Sequence, residues 1–168
     1  MEVRKLDEND AAAYWHLRLE GLETVPLAFG RSPEEHRATT VEDTAARFRD
    51  YPDDCFTVGV FEDGGLVGIA TFIREQGVKE RHKGHIYGVY LSGAYRGRGL
   101  GRAMIGVLLR MVRENAAVEQ ILLAVSPTQE AALRLYSEFG FEVYGIEPRA
   151  LKVGSEYVDE HHMILRVR

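Results

Sequence analysis

The stretch Arg96-Gly97-Arg98-Gly99-Leu100-Gly101-Arg102 constrains the fold of this chain more than any other. An apolar run at residues 85–91 precedes it. After it, Leu100, Met104, Val107, Leu108, Met111 and Val112 recur at three- and four-residue spacing, which is one apolar face of a helix. A strand, a glycine turn and a helix N-terminus are therefore expected in that order. Such a turn leaves backbone N–H groups free, and the helix dipole adds partial positive charge. The ligand implied is a phosphate or a pyrophosphate.

The rest of the chain alternates between the two periods. Residues 2–6 read as a short strand, and the acidic segment Asp7 to Asp10 supplies N-cap candidates for a helix reaching about Gly21. Residues 26–33 form a loop, and Pro33-Glu34-Glu35 starts one polar helix over residues 34–50, stopped by Tyr51-Pro52. Residues 55–61 and 66–74 read as strands joined through Glu62-Asp63-Gly64-Gly65, a hairpin signal. A short apolar run at 121–125 predicts a buried strand. Ser126-Pro127-Thr128 caps a helix with Ala131, Ala132, Leu135 and Phe139 inward, and Gly140 follows as its C′ residue. Residues 141–146 and 157–167 complete the pattern as two strands. The whole reads as a single mixed α/β (α+β) domain over residues 1–168.

Composition narrows the partners. Asp+Glu 26 against Lys+Arg 21 leaves a net charge of −5, which argues against non-specific nucleic-acid binding and does not favour an anionic membrane. The arginines of the glycine turn are thus a local basic feature on an acidic chain. The single cysteine, Cys55, precludes an internal disulfide and reads as a small buried hydrophobe. The histidines lack metal-ligand spacing, and no metal is expected. No apolar run approaches the roughly 20 residues that span a bilayer, and the N-terminus lacks a signal-peptide core, so a cytoplasmic location is the expectation.

The turn is not a dinucleotide fingerprint, because Arg102 stands where G-x-G-x-x-G needs its third glycine, and no P-loop string occurs. The pattern present is R-x-x-G-x-G, as Arg96-Gly97-Arg98-Gly99-Leu100-Gly101. Downstream, Gln129 to Phe141 follows N-x-x-A-x-x-L-Y-x-x-x-G-F, with Gln129 in place of the asparagine. These two signatures resemble those of the GCN5-related N-acetyltransferase (GNAT) family. The resemblance implies a twisted mixed sheet of six to seven strands flanked by four helices, with acetyl-CoA entering where two central parallel strands splay apart.

It also implies roles. Gly97, Gly99 and Gly101 let the backbone approach the pyrophosphate, with N–H groups from Arg98 through Leu100 to Arg102 as donors and Arg96, Arg98 and Arg102 adding charge. Arg134 would reach toward a 3′-phosphate. Val89, Tyr90 and Leu91 would offer main-chain groups to the pantetheine arm, and Gln129 is a further cofactor contact. Tyr136 would protonate the departing thiolate after a primary amine attacks the thioester, since a phenol of reference pKa about 10 is protonated at neutral pH. His85 and Glu75 are the candidate bases. The acceptor, a small-molecule or peptide amine, would lie between residues 22–33 and 150–162, where Glu156, Tyr157, Asp159 and Glu160 stand. A non-catalytic acyl-CoA sensor on the same fold is the alternative. The final hairpin offers an edge through which two subunits could pair as a homodimer.

Overall fold

The computed structural model describes all residues from Met1 to Arg168. Seven strands form one sheet in the order β1-β2-β3-β4-β5-β7-β6. They are β1 (Glu2–Lys5), β2 (Phe56–Glu62), β3 (Gly65–Arg74), β4 (Lys83–Leu91), β5 (Gln120–Val125), β6 (Glu142–Val153) and β7 (Glu156–Arg166). All neighbours are antiparallel except β4 and β5. Five helices complete the chain: α1 (Ala11–Thr24), α2 (Pro33–Arg37), α3 (Val41–Asp50), α4 (Leu100–Glu114) and α5 (Glu130–Glu138). None is long and apolar enough to cross a membrane.

The single helix expected over residues 34–50 is two. Ser32 and Glu35 close one capping box, and Thr40 and Asp43 close a second, so the chain stops after Arg37 and starts again at Val41. The last hairpin is longer than the sequence suggested. Its turn-like residues 147–153 remain in β6 through an irregular register between Glu147 and Leu151. Ser126 is not the helix cap: its Oγ accepts from Thr128 N–H, and Gln129 is the N-cap of α5.

Two apolar clusters lie on opposite faces of the sheet. On one, α4 contributes Met104, Ile105, Leu108, Leu109 and Val112, all essentially inaccessible. The buried arc is wider than the spacing predicted because α5 also covers the helix, with Phe139 against Gly106. Truncating such a residue costs about 2–5 kcal/mol. On the other face, Tyr14, Leu17 and Phe48 from α1 and α3 pack with Ile69 and Tyr90.

Two irregularities of β4 shape the middle of the molecule. Its parallel pairing with β5 covers only Lys83, Gly84 and His85, opposite Gln120, Ile121 and Leu122. Beyond them the strands part. On its other side Ile69 pairs with Tyr90 and Thr71 with Tyr87, so β4 carries one extra residue, with Gly88 at φ 61°. This is a β-bulge, and it reverses the facing of the strand. Ile86 joins the α4 cluster, whereas Tyr90, four residues on, joins the α1 cluster.

Candidate active site

Where β4 and β5 part, a cavity of about 570 Å³ opens. His85 to Val89 line one side, Leu122 to Ser126 the other, and Gln129, Ala132 and Tyr136 of α5 close it. The connection between α1 and α2 adds Phe29 and Gly30, and the last hairpin adds Tyr144, Leu151, Glu160 and His162.

The glycine turn stands beside this cavity. Gly97 and Gly99 have φ of 73° and 79°, and Gly99 is the N-cap of α4. An L-residue is disfavoured at both positions. No N–H from Gly97 to Arg102 donates within the protein, since the first α4 bond is from Ala103 N–H to the Gly99 carbonyl. The chain therefore presents consecutive free donors at the positive end of a 15-residue helix. Helix α5 joins turn to cavity: Leu135 touches the position of a Cβ on Gly101, Glu138 pairs with Arg102, and Ala132 and Tyr136 line the cavity.

The arginines of the turn are differently employed. Arg96 Nε donates to the Leu91 carbonyl at 3.0 Å, bracing the strand end. Arg98 lies 3.3 Å from Glu62, Arg102 meets Glu138, and Arg134 lies 3.4 Å from Glu130. Arg102 and Arg134 and their partners are largely exposed, and such pairs contribute about 0–1 kcal/mol, so an incoming polyanion displaces them at little cost.

Tyr136 is 5% exposed, edge-on to Phe141 at 5.8 Å. Burial alone drives its pKa well above the usual tyrosine range, and no protein group hydrogen-bonds its hydroxyl. Val89 lines the cavity. The Tyr90 side chain points away, its hydroxyl donating to Glu20 at 2.8 Å.

His85 and Glu75, read separately in the sequence, form one pair: Nε2 stands 3.1 Å from Oε1. The His85 ring stacks on Tyr87 at 5.6 Å and 16°. Its pKa is lowered, because desolvation outweighs the pull of Glu75. The imidazole is neutral at pH 7 and faces the cavity, the state a proton acceptor needs.

On the hairpin side, His162 Nε2 lies 3.1 Å from Glu147, and with Glu160 these groups gather within 4.8 Å. Burial raises the Glu160 pKa. Of the other residues expected there, Asp159 accepts from Arg149 N–H at 2.7 Å, and Tyr157 lies under the Arg149 guanidinium at 3.6 Å. Neither they nor Glu156 line the cavity. The sequence reading missed Arg18 and Arg31, which line its opposite wall. The available signal was an arginine one residue from the buried Leu17 on an otherwise apolar helix face.

Comparison with known proteins agrees with this geometry. The acetyltransferase (GNAT) family model matches residues 19–141. An acetyltransferase of that family from Streptococcus pneumoniae superposes with a TM-score of 0.90 at 21% identity, covering 99% of both chains. The structure of yncA from Salmonella typhimurium, solved with its cofactor acetyl-CoA, gives 0.86 at 22% identity, covering 100% of this chain and 94% of that one. The L-amino acid N-acetyltransferase AaaT of Escherichia coli (strain K12) is 27% identical over 101 residues, 60% of this chain and 62% of the relative. The chain spans about 60% of the length of this and similar curated relatives.

Proposed function

Because this chain belongs to the acetyltransferase (GNAT) family, we propose that it transfers an acetyl group from acetyl-CoA to a primary amine. The observation that carries the reading is the opening between β4 and β5, flanked by the unpaired N–H groups of residues 97–102 and closed by the buried hydroxyl of Tyr136. A pyrophosphate fits the turn, since no protein atom lies within 4 Å of a Cβ position on Gly97 or Gly99 and the donors there have no other partner. Main-chain groups of β4 beyond His85 have lost β5 as a partner and suit the amides of a pantetheine arm. A protein of the same fold is solved with this cofactor.

When bound, acetyl-CoA supplies an activated thioester carbonyl. The chain's own groups do the remaining work. His85, neutral and held by Glu75, takes a proton from the acceptor's ammonium, directly or through water, and so frees the amine lone pair that attacks the thioester carbon. A main-chain N–H of β4, at Val89 or Tyr90, stabilises the developing oxyanion. Tyr136, kept protonated by burial, gives its proton to the departing sulfur.

The test is titration calorimetry with acetyl-CoA followed by CoA release across an amine panel. Binding in the micromolar range with amine-dependent CoA release is expected. No acetyl-CoA binding at high micromolar concentration overturns the reading.

A further inference from the structure

A second cavity, of about 320 Å³, lies between α1, α3 and the sheet. Arg18, Arg31 and Arg47 converge on it, with Tyr14, Tyr87 and Gly88. The Nε and Nη2 of Arg47 and the Nη1 of Arg18 are shielded from solvent and have no hydrogen-bond partner in the protein. Rings hold the two guanidiniums in place. Arg18 stands 4.4 Å over Phe29, and Arg47 lies among Tyr14, Phe48 and Tyr51 at 5.2 to 6.0 Å. An aromatic face attracts a cation but leaves its in-plane N–H groups unsatisfied.

No carboxylate neutralises the cluster. Asp43 lines the same cavity, but its carboxylate accepts from Thr40 N–H at 2.8 Å as a helix cap. Arg18 feels burial and the like charges of Arg31 and Arg47, and no acidic side chain among its neighbours counters them except the phenol of Tyr14. Guanidinium N–H groups shielded from water and left unpaired are costly, and a site that keeps them on two arginines awaits an anion. The free groups of Arg47 are specific. Nε–H and Nη2–H lie parallel along one edge of the guanidinium, the fork that matches the two oxygens of a carboxylate.

The cavity also adjoins the proposed transfer site. Arg18, Arg31, Tyr87 and Gly88 line both cavities. Arg18 Nη1 reaches within 3.4 Å of a Cβ position on Gly88, so only glycine there leaves the passage between bulge and guanidinium open. On the proposed acetyl-transfer reading, we infer that this cavity holds the carboxylate of the acceptor, with the amine of the same molecule directed past Gly88 toward His85. The substrate class is the amino acid, or an amine bearing a carboxylate at similar reach. Polyamines are excluded, because three guanidiniums repel a second ammonium group.

The test compares matched acceptors: a panel of L-amino acids, their carboxamides, their aminophosphonate analogues, and spermidine. CoA release and equilibrium binding to the CoA-loaded protein are both read, with acetyl-CoA titrated separately. Carboxylates are expected to exceed their carboxamides on the order of 100-fold in kcat/KM, since a site built for a polar group rejects the analogue lacking it. Arg47→Gln should erase that preference while acetyl-CoA affinity stays within about twofold, and Arg47→Lys should restore part of it. The comparison on the unaltered protein needs no variant to fold. Equal use of acid and amide, preference for the phosphonate or for spermidine, or no acid-selective turnover or binding overturns the inference, while acetyl-CoA binding leaves the transfer reading intact. If acetyl-CoA fails to bind, the transfer reading falls, and the binding of acids against amides still decides whether the arginines form an anion site.

Discussion

The Nε2 of His85 and the Oε1 of Glu75 stand 3.1 Å apart across the end of the β3–β4 hairpin, beside the cavity that divides the sheet. Desolvation lowers the His85 pKa below 6.5, and Glu75 partly offsets the effect. The rate should therefore rise with pH through the depressed pKa and be level by neutrality. Glu75→Gln removes the offset, so the acid limb of kcat/KM should move to lower pH. A pH–rate profile of both proteins checks the sign, and a limb that moves upward, or a His85→Ala profile with the limb unchanged, takes His85 out of the reaction.

Tyr136→Phe removes one oxygen from a buried site with no other hydrogen-bonding partner. Turnover should fall by a factor on the order of 100, the scale of a lost general acid, with acetyl-CoA affinity changed less than about threefold. Because burial raises its pKa, Tyr136 should contribute no basic limb within the ordinary assay range. Unchanged turnover would falsify its role.

Gly99→Ala places a Cβ on a residue at φ 79° with no atom within 4 Å to obstruct it. The penalty is conformational, about 1–2 kcal/mol. Urea unfolding should report that loss, and calorimetry should report acetyl-CoA affinity lowered by more than tenfold as the N–H groups of α4 rotate. Loss of stability without loss of affinity would separate the turn from the binding site.

His36 is 3% exposed on α2, stacks on Trp15 at 5.0 Å, and donates from Nε2 to the Trp15 carbonyl at 2.9 Å. Burial is the first cause of its lowered pKa. The unfolded chain takes up a proton near 6.5 that the folded chain resists, so stability is complete above that pH and is lost as pH falls toward the folded pKa. His85 acts in the same window and direction. The urea midpoint should drop between about pH 7 and about pH 5, and His36→Gln should flatten the curve. A midpoint independent of pH would show that neither ring resists its proton.

What the sequence discloses follows the range of the forces involved. The glycine turn and α4 are legible because local sterics and a strong 3.6-residue period specify them together. The motif singles out Tyr136, and the fold places it in the lining of the cavity. The break at Thr39-Thr40 is hidden in a polar helical run, and only the Thr40–Asp43 box betrays it. The pairing of Glu75 with His85 depends on the β3–β4 register, where Ile73 meets His85, and no local signal encodes that. Nothing in the sequence singles out Arg47, and Arg18 is marked only by its place on an apolar helix face. Phe29 and Tyr14, whose rings lie against the Arg18 and Arg47 guanidiniums, reach them only in the folded chain. Gly88 lay in plain view, but the bulge it permits is set by pairing across the sheet.

The three residue pairs between β4 and β5 have a mechanical consequence. They stitch two plates, β1–β4 and β5–β7, along a seam too short to hold them as one continuous sheet. A molecule lying in the opening acts as a guest strand that lengthens the seam. Cohesion between the plates then grows with the logarithm of ligand concentration. The melting temperature and the amide exchange of Val89 to Leu91 become gauges of occupancy, and the protein is most fragile when the opening is empty.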